Sequence, residues 1–135
     1  MTDQELYERE RKRLVASLKA SGYIKSPEVE RAFMSVPREL FVPPDMRDSA
    51  YVDSPLPIGH MQTISAPSMI AIMLEALDLA EGQKVLEIGA GSGYHAALVR
   101  HVVGPKGRLY TVERIPELAK EAERNLQAAG MGQGI

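Results

Sequence analysis

The residues from Glu87 to Tyr94 read Glu-Ile-Gly-Ala-Gly-Ser-Gly-Tyr and follow directly on the apolar pair Val85-Leu86. A short apolar run, three glycines at alternate positions and then a helix-forming stretch describe a strand that turns sharply into a helix. Gly89 permits the turn, Gly91 lets a ligand approach the backbone with no Cβ in the way, and Gly93 lets the helix start lie close to the sheet. Such a turn sits at the carboxyl end of its strand, the usual ligand crevice of an open α/β sheet. A dinucleotide site takes G-x-G-x-x-G, with the pyrophosphate on the helix N-terminus. Here the third glycine comes one residue early, and an acid, Glu87, precedes the first glycine by two. A second acid, Glu113, lies 20 residues after Gly93 and closes the next apolar run. A carboxylate there can accept both hydroxyls of a ribose, so Glu113 speaks for a nucleoside without choosing the cofactor. Equally, the loop read alone is compatible with a turn that binds nothing, and Glu113 with a surface carboxylate.

A second group of polar residues precedes the loop: His60, Gln62, Thr63 and Ser65. Ser65 stands before Ala66-Pro67, where serine commonly caps a helix. Gln62 reads as a loop residue that satisfies backbone groups, His60 as a structural or exposed loop side chain, and His95 and His101 as helix-surface residues, without the spacing of a metal site. There is no cysteine, so disulfides and thiolate metal sites are excluded.

These residues need a frame. Thr2 and Glu5 have the spacing of a capping box and open a charged helix to about Ala20, whose thin stripe Leu6, Leu14, Val15 and Leu18 places it on the outside. Ser26-Pro27 starts a short second helix with Val29, Phe33 and Val36 on one side. Five of nine prolines fall between Pro37 and Gly59, which predicts mostly extended chain packed onto the domain. A third helix begins near Ala66-Pro67, capped by Ser65 or Thr63. Its Met69, Ile70, Met73, Leu74 and Leu77 recur at helical spacing, the methionines read as core filler. Then come a short buried strand Lys84 to Ile88, a helix Tyr94 to Val103, a strand Leu109 to Val112 and a helix Pro116 to Ala129. Strand–helix–strand–helix predicts a parallel pair. The expected organisation is one domain over 1–135: a helical and extended cap over 1–59 and the start of a Rossmann-like core over 60–135.

Ordinary proportions of apolar and charged residues, 44% and 25%, mark a soluble globular chain. A net charge of −2 offers no footprint for nucleic acid. No run suits a signal peptide or a membrane span, so the expected location is the cytoplasm.

The E-x-G-x-G-x-G form resembles the first motif of class I methyltransferases. The stretches Val36 to Pro43, Ala50-Tyr51 with Asp53, Pro55 to His60 and Gln62 to Pro67 are similar, in order and spacing, to the amino-terminal signature of protein-L-isoaspartate O-methyltransferases. With Val85 to Tyr94 and Tyr110 to Leu118, the resemblance covers essentially residues 5 to 130. It implies a doubly wound, mostly parallel α/β sheet and S-adenosylmethionine as cofactor. It also implies methyl transfer to the free carboxylate of L-isoaspartyl residues in damaged proteins. On that pattern Gln62, Ser65, Glu87, Gly89, Gly91, Gly93, Tyr94, Glu113 and Arg114 bind cofactor, with Arg114 and Ile115 beside the adenine. Thr63, Ile64 and Ser65 hold substrate, and Ser65 is the catalytic position. An isoaspartyl α-carboxylate is ionised at neutral pH, so positioning and desolvation suffice where a general base would otherwise be needed.

Two departures stand out. Ser68 occupies a position where the family commonly has histidine near the cofactor. The seven-stranded sheet of the family is represented by only its first two strands, so the chain reads as apparently truncated, with sheet edges that an oligomer would cover. Three other readings stay open: an inactive fragment of such an enzyme, a class I methyltransferase with another substrate, and a nicotinamide dehydrogenase, which the glycine spacing opposes.

Overall fold

The computed structural model describes residues 1–135. Helix α1 (Asp3–Ala20) opens with the expected capping box: Glu5 N–H donates to Thr2 Oγ1 at 3.1 Å, and Thr2 N–H to Glu5 Oε2 at 2.9 Å. Leu14, Val15 and Leu18 bury its thin stripe while Leu6 stays exposed. Helix α2 (Pro27–Ser35) is capped by Ser26 and buries Val29, Ala32 and Phe33.

The proline-rich stretch departs from the expectation of extended chain. It forms two 3₁₀ turns, Arg38–Phe41 and Pro44–Ser49. Proline fixes φ near the helical value and suits the first position of a turn. The N–H groups of Leu40 and Met46 close the turns on the carbonyls of Pro37 and Pro43. The stretch is pinned to α1 by Arg11, which donates to the Tyr51 hydroxyl at 2.8 Å and to Glu39 at 3.2 Å. Tyr51 in turn donates to Glu39. Strands β1 (Leu56–Gly59) and β2 (Gln62–Ile64) then form an antiparallel hairpin whose turn residues, His60 and Met61, both have positive φ, 53° and 59°.

Helix α3 (Pro67–Leu77) buries Ile70, Ala71 and Leu74. Two expectations fail here. Met69 and Met73 are exposed, at 50% and 41%, so they are not core filler. Neither Ser65 nor Thr63 caps the helix. Asp53 does so from the preceding segment, its Oδ1 accepting the Ser68 N–H at 2.8 Å, where a negative charge also suits the helix dipole.

Strands β3 (Lys84–Ile88) and β4 (Arg108–Val112) pair in parallel, Lys84 opposite Arg108 and Ile88 opposite Val112, with α4 (Tyr94–Val103) between them in sequence and α5 (Pro116–Ala128) after them. α4 packs on both strands. β3, expected to be buried, is covered on one face only. Leu86, Ile88, Tyr110 and Val112 point the other way and are 64%, 82%, 53% and 51% exposed. The residues after α5 return to the outer edge of β4, where Leu109 N–H donates to the Gly134 carbonyl at 2.9 Å. One continuous core of 26 buried residues runs from Leu14 on α1 to Leu126 on α5, so the amino-terminal elements and the sheet share it.

Candidate active-site cleft

The glycine loop is built as the sequence requires. Gly89 and Gly93 have φ of 95° and 90°, a region glycine enters at no steric cost. The N–H groups of Gly89 and Ala90 both donate to the Val112 carbonyl, at 2.8 and 3.0 Å. A Cβ on Gly93 would lie 3.2 Å from the Ala122 carbonyl oxygen. The close approach there is to α5, not to the sheet. A Cβ on Gly91 would point toward Ile58 of the hairpin, 3.7 Å away, in ordinary contact.

Glu113 follows β4. Its Oε1 accepts the Gly91 N–H at 2.9 Å and its Oε2 the Ile115 N–H at 3.1 Å. These backbone donors, Gly91 first, hold its carboxyl below the usual carboxylate range. Asn125 Nδ2 donates to the Ser92 carbonyl at 2.9 Å, so the loop is fixed from β4 and from α5.

The β2 segment and the loop enclose one cleft of about 210 Å³ whose walls include Thr63, Ser65, Glu87, Gly89, Gly91 and His95. Thr63 and Ser65 are exposed, and the Ser65 carbonyl accepts Arg38 Nη2 at 3.1 Å. Ile64 is 5% exposed; its side chain belongs to the core, leaving its backbone to a ligand. Gln62 begins β2 as an exposed residue outside the cleft walls. Glu113 lines a neighbouring cavity of about 400 Å³ between β4, α5 and the terminal residues, and Arg114 is exposed.

Glu87 and Tyr94 line the same cleft and are also tied into the fold around it. Glu87 accepts the Thr111 hydroxyl at 2.6 Å and pairs with His95 Nδ1 at 2.7 Å. It ties β3 to β4 and α4 along the cleft wall. His95 is thereby a part-buried residue, 19% exposed in its side chain, and not the surface residue its helix position suggested. The Tyr94 ring, 2% exposed, packs on Phe33 and Phe41 at centroid distances of 6.4 and 5.6 Å. Burial pushes its hydroxyl up to about 12. Ser68 spends its backbone N–H on Asp53. The sequence left Arg38 without a role; an Arg38-Glu39 pair inside the otherwise apolar run Val36 to Val42 was the available signal. No three His, Cys, Asp or Glu side chains are placed to hold a metal ion, and no helix is long and apolar enough to cross a membrane.

A sequence model of the protein-L-isoaspartate(D-aspartate) O-methyltransferase family matches residues 9–133. Protein-L-isoaspartate O-methyltransferase of Methanopyrus kandleri is 61% identical over 128 residues, covering 95% of this chain and 57% of its own. The enzyme of that name from Hyperthermus butylicus is 57% identical over 135 residues, covering 95% and 56%. Among solved structures, a protein-L-isoaspartate O-methyltransferase superposes with a TM-score of 0.78 at 35% identity, covering 90% of this chain and 39% of that one. A Plasmodium falciparum protein of the same description, in complex with S-adenosyl-L-homocysteine, gives 0.77 at 27%, covering 88% and 56%. The α/β unit is thus the opening part of the class I methyltransferase fold, and the chain spans a little over half the length of these curated relatives.

Proposed function

Because the chain belongs to the protein-L-isoaspartate(D-aspartate) O-methyltransferase family, we propose that its cleft binds S-adenosylmethionine and directs methyl transfer to the free carboxylate of L-isoaspartyl residues in damaged proteins. One observation carries the reading. Thr63 and Ser65, from the hairpin, share a single cleft with Gly89 and Gly91, from the loop, although 24 residues separate Ser65 from Gly89.

The residues present fit the cofactor. The backbone of Gly89 to Gly93 and the free hydroxyls of Thr63 and Ser65 offer polar groups on both walls, and Glu113 keeps carboxylate lone pairs beyond its two backbone donors. A cleft of about 210 Å³ is smaller than the roughly 300–1,000 Å³ that encloses a whole ligand; it suits part of the cofactor. When bound, S-adenosylmethionine supplies an electrophilic methyl group on a sulfonium. Gly89, Gly91, Gly93, Glu113, Arg114 and Gln62 are the residues we assign to holding it. Glu87 and Tyr94, which also line the cleft, shape the loop at its two ends. Ser65 and Thr63 orient the substrate carboxylate, with the backbone of Ile64 between them. That carboxylate is ionised without help, so the chain's contribution is orientation and exclusion of water. The partner is an isoaspartyl polypeptide in the cytoplasm, with self-association through the uncovered sheet edge. The near-neutral charge gives no reason to invoke nucleic acid.

Calorimetric titration with S-adenosyl-L-homocysteine, followed by transfer of a labelled methyl group to an isoaspartyl peptide, tests the reading. Saturable binding lost in Gly91→Val supports it. NADH binding without homocysteine-nucleoside binding would sink it.

A further inference from the structure

Arg38 is the only arginine or lysine of the chain that is fully buried, at 0% exposure. Burying a cation is costly unless it is paired, yet no carboxylate lies within ion-pair distance; the part-buried Arg11, by contrast, has Glu39. Arg38 is instead held by neutral groups. Its Nε donates to the Ala50 carbonyl at 2.6 Å and its Nη2 to the Ser65 carbonyl at 3.1 Å. Its guanidinium lies 4.8 Å over the Tyr94 ring, and Nη1 is buried with no partner. Asp53, whose charge reaches Arg38, accepts from the Ser68 N–H. Ser65 and Tyr94 both line the cleft. A positive charge with no ion-pair partner therefore stands directly behind the cleft wall, in surroundings that screen it weakly.

We propose that Arg38 is a positioning residue: it fixes the Ser65 backbone against the first turn of α4 and gives that wall its preference for a carboxylate over a neutral group. The inference rests on the carboxyl-methylating function proposed above. The substrate oxygen loses its charge as it becomes an ester, so the field of Arg38 favours bound carboxylate over bound ester. It acts on substrate binding and product release more than on turnover, raising KM more than it lowers kcat when removed.

The test is a ¹⁵N NMR titration of the full chain with three probes: S-adenosyl-L-homocysteine, an isoaspartyl tetrapeptide, and the same peptide with a carboxamide in place of its free α-carboxylate. The wild-type chain is expected to prefer carboxylate by about tenfold. Arg38→Met loses that preference, Arg38→Lys keeps part of it, and S-adenosyl-L-homocysteine affinity changes little in either. Unchanged preference in Arg38→Met overturns the proposal. Should Arg38→Met lose its dispersed spectrum, the wild-type Arg38 Nε–H resonance decides: a shift with the carboxylate peptide alone supports the proposal, and equal response to both peptides overturns it. If S-adenosyl-L-homocysteine registers on Gly89 and Gly91 but Arg38 fails these tests, only the Arg38 role falls. If no probe moves any wild-type resonance, the functional reading falls and takes Arg38 with it.

Discussion

The carboxylate of Glu113 holds the backbone N–H of Gly91 at 2.9 Å. The end of β4 is thereby bonded to the middle of the loop that leaves β3, across 22 residues of sequence. The second oxygen takes the Ile115 N–H, so one side chain shapes the loop and the entry to α5 together. An acid at this position is expected to meet a ribose, and a ribose bound here would meet oxygens that are already organising the loop.

The loop should therefore loosen in acid. Glu113 titrates in the folded chain below its ordinary value of 4.5. A depressed folded value means the stabilisation is present in full above the unfolded value and is lost as pH falls through the folded one. Urea midpoints measured from pH 7 down to pH 3 should fall more steeply for wild type than for Glu113→Gln, with the two converging at the acid end. Parallel profiles would remove this role from Glu113.

Gly91 and Gly93 should respond differently to alanine. Gly93 has φ of 90° and its Cβ would press on the Ala122 carbonyl at 3.2 Å. Gly93→Ala should cost about 2–3 kcal/mol. Gly91, with φ of 55° and only Ile58 nearby at 3.7 Å, sits where an L-residue is tolerated, and Gly91→Ala should cost about 1 kcal/mol. Chemical denaturation of the two variants orders them.

What could be read in the sequence is what is decided within a few residues. The Thr2–Glu5 box, the Ser26 cap and the strand–glycine–helix turn all depend on neighbours three or four positions apart, and all are present. The failures are long-range. Asp53 caps α3 from 15 residues away, which displaced Ser65 and Thr63 from that role. Nothing local reveals that Thr111 and His95 converge on Glu87, the acid of the motif. The exposure of Met73 and Ile88 follows from which faces have neighbours, and periodicity alone marks a face as apolar without saying what covers it. The same limit applies to the site. Ser65 and Gly89 were both marked, but only the hairpin's packing on the loop puts them in one cleft.

The Asp53 cap can be weighed directly. Asp53→Ala removes the acceptor of the Ser68 N–H and should destabilise by about 1 kcal/mol. Asp53→Asn keeps an acceptor oxygen and should recover most of it. Thermal melts of both variants separate the hydrogen bond from the charge; equal losses would assign the effect to the charge on the helix dipole.

Thr111→Val tests the tie at the cleft wall. The change keeps the side-chain shape and removes the hydroxyl that donates to Glu87 at 2.6 Å. Glu87 is left with His95 as its remaining partner, in a site where its side chain is 12% exposed. A part-buried carboxylate that loses a donor should cost about 1–2 kcal/mol. The His95 ring resonances should shift, because the freed oxygen changes the field at Nδ1. Wild-type stability with unmoved His95 signals would mean that water replaces the threonine and that the tie is not structural.

The uncovered sheet face makes the sharpest surface prediction. Leu86 and Tyr110 are cross-strand neighbours in the β3–β4 register, and they expose 64% and 53% of their surface. Contiguous apolar surface of this kind binds apolar dyes and favours association. Leu86→Lys combined with Tyr110→Thr leaves the buried face of both strands, Val85 and Leu109 included, untouched. Substitutions away from buried features change stability by only about 0.5 kcal/mol. The double variant should therefore bind much less dye and scatter less light at high concentration, with its melting temperature nearly unchanged. A large drop in melting temperature would show that the face is buried in solution against another copy of the chain, since within one chain both side chains are more than half exposed.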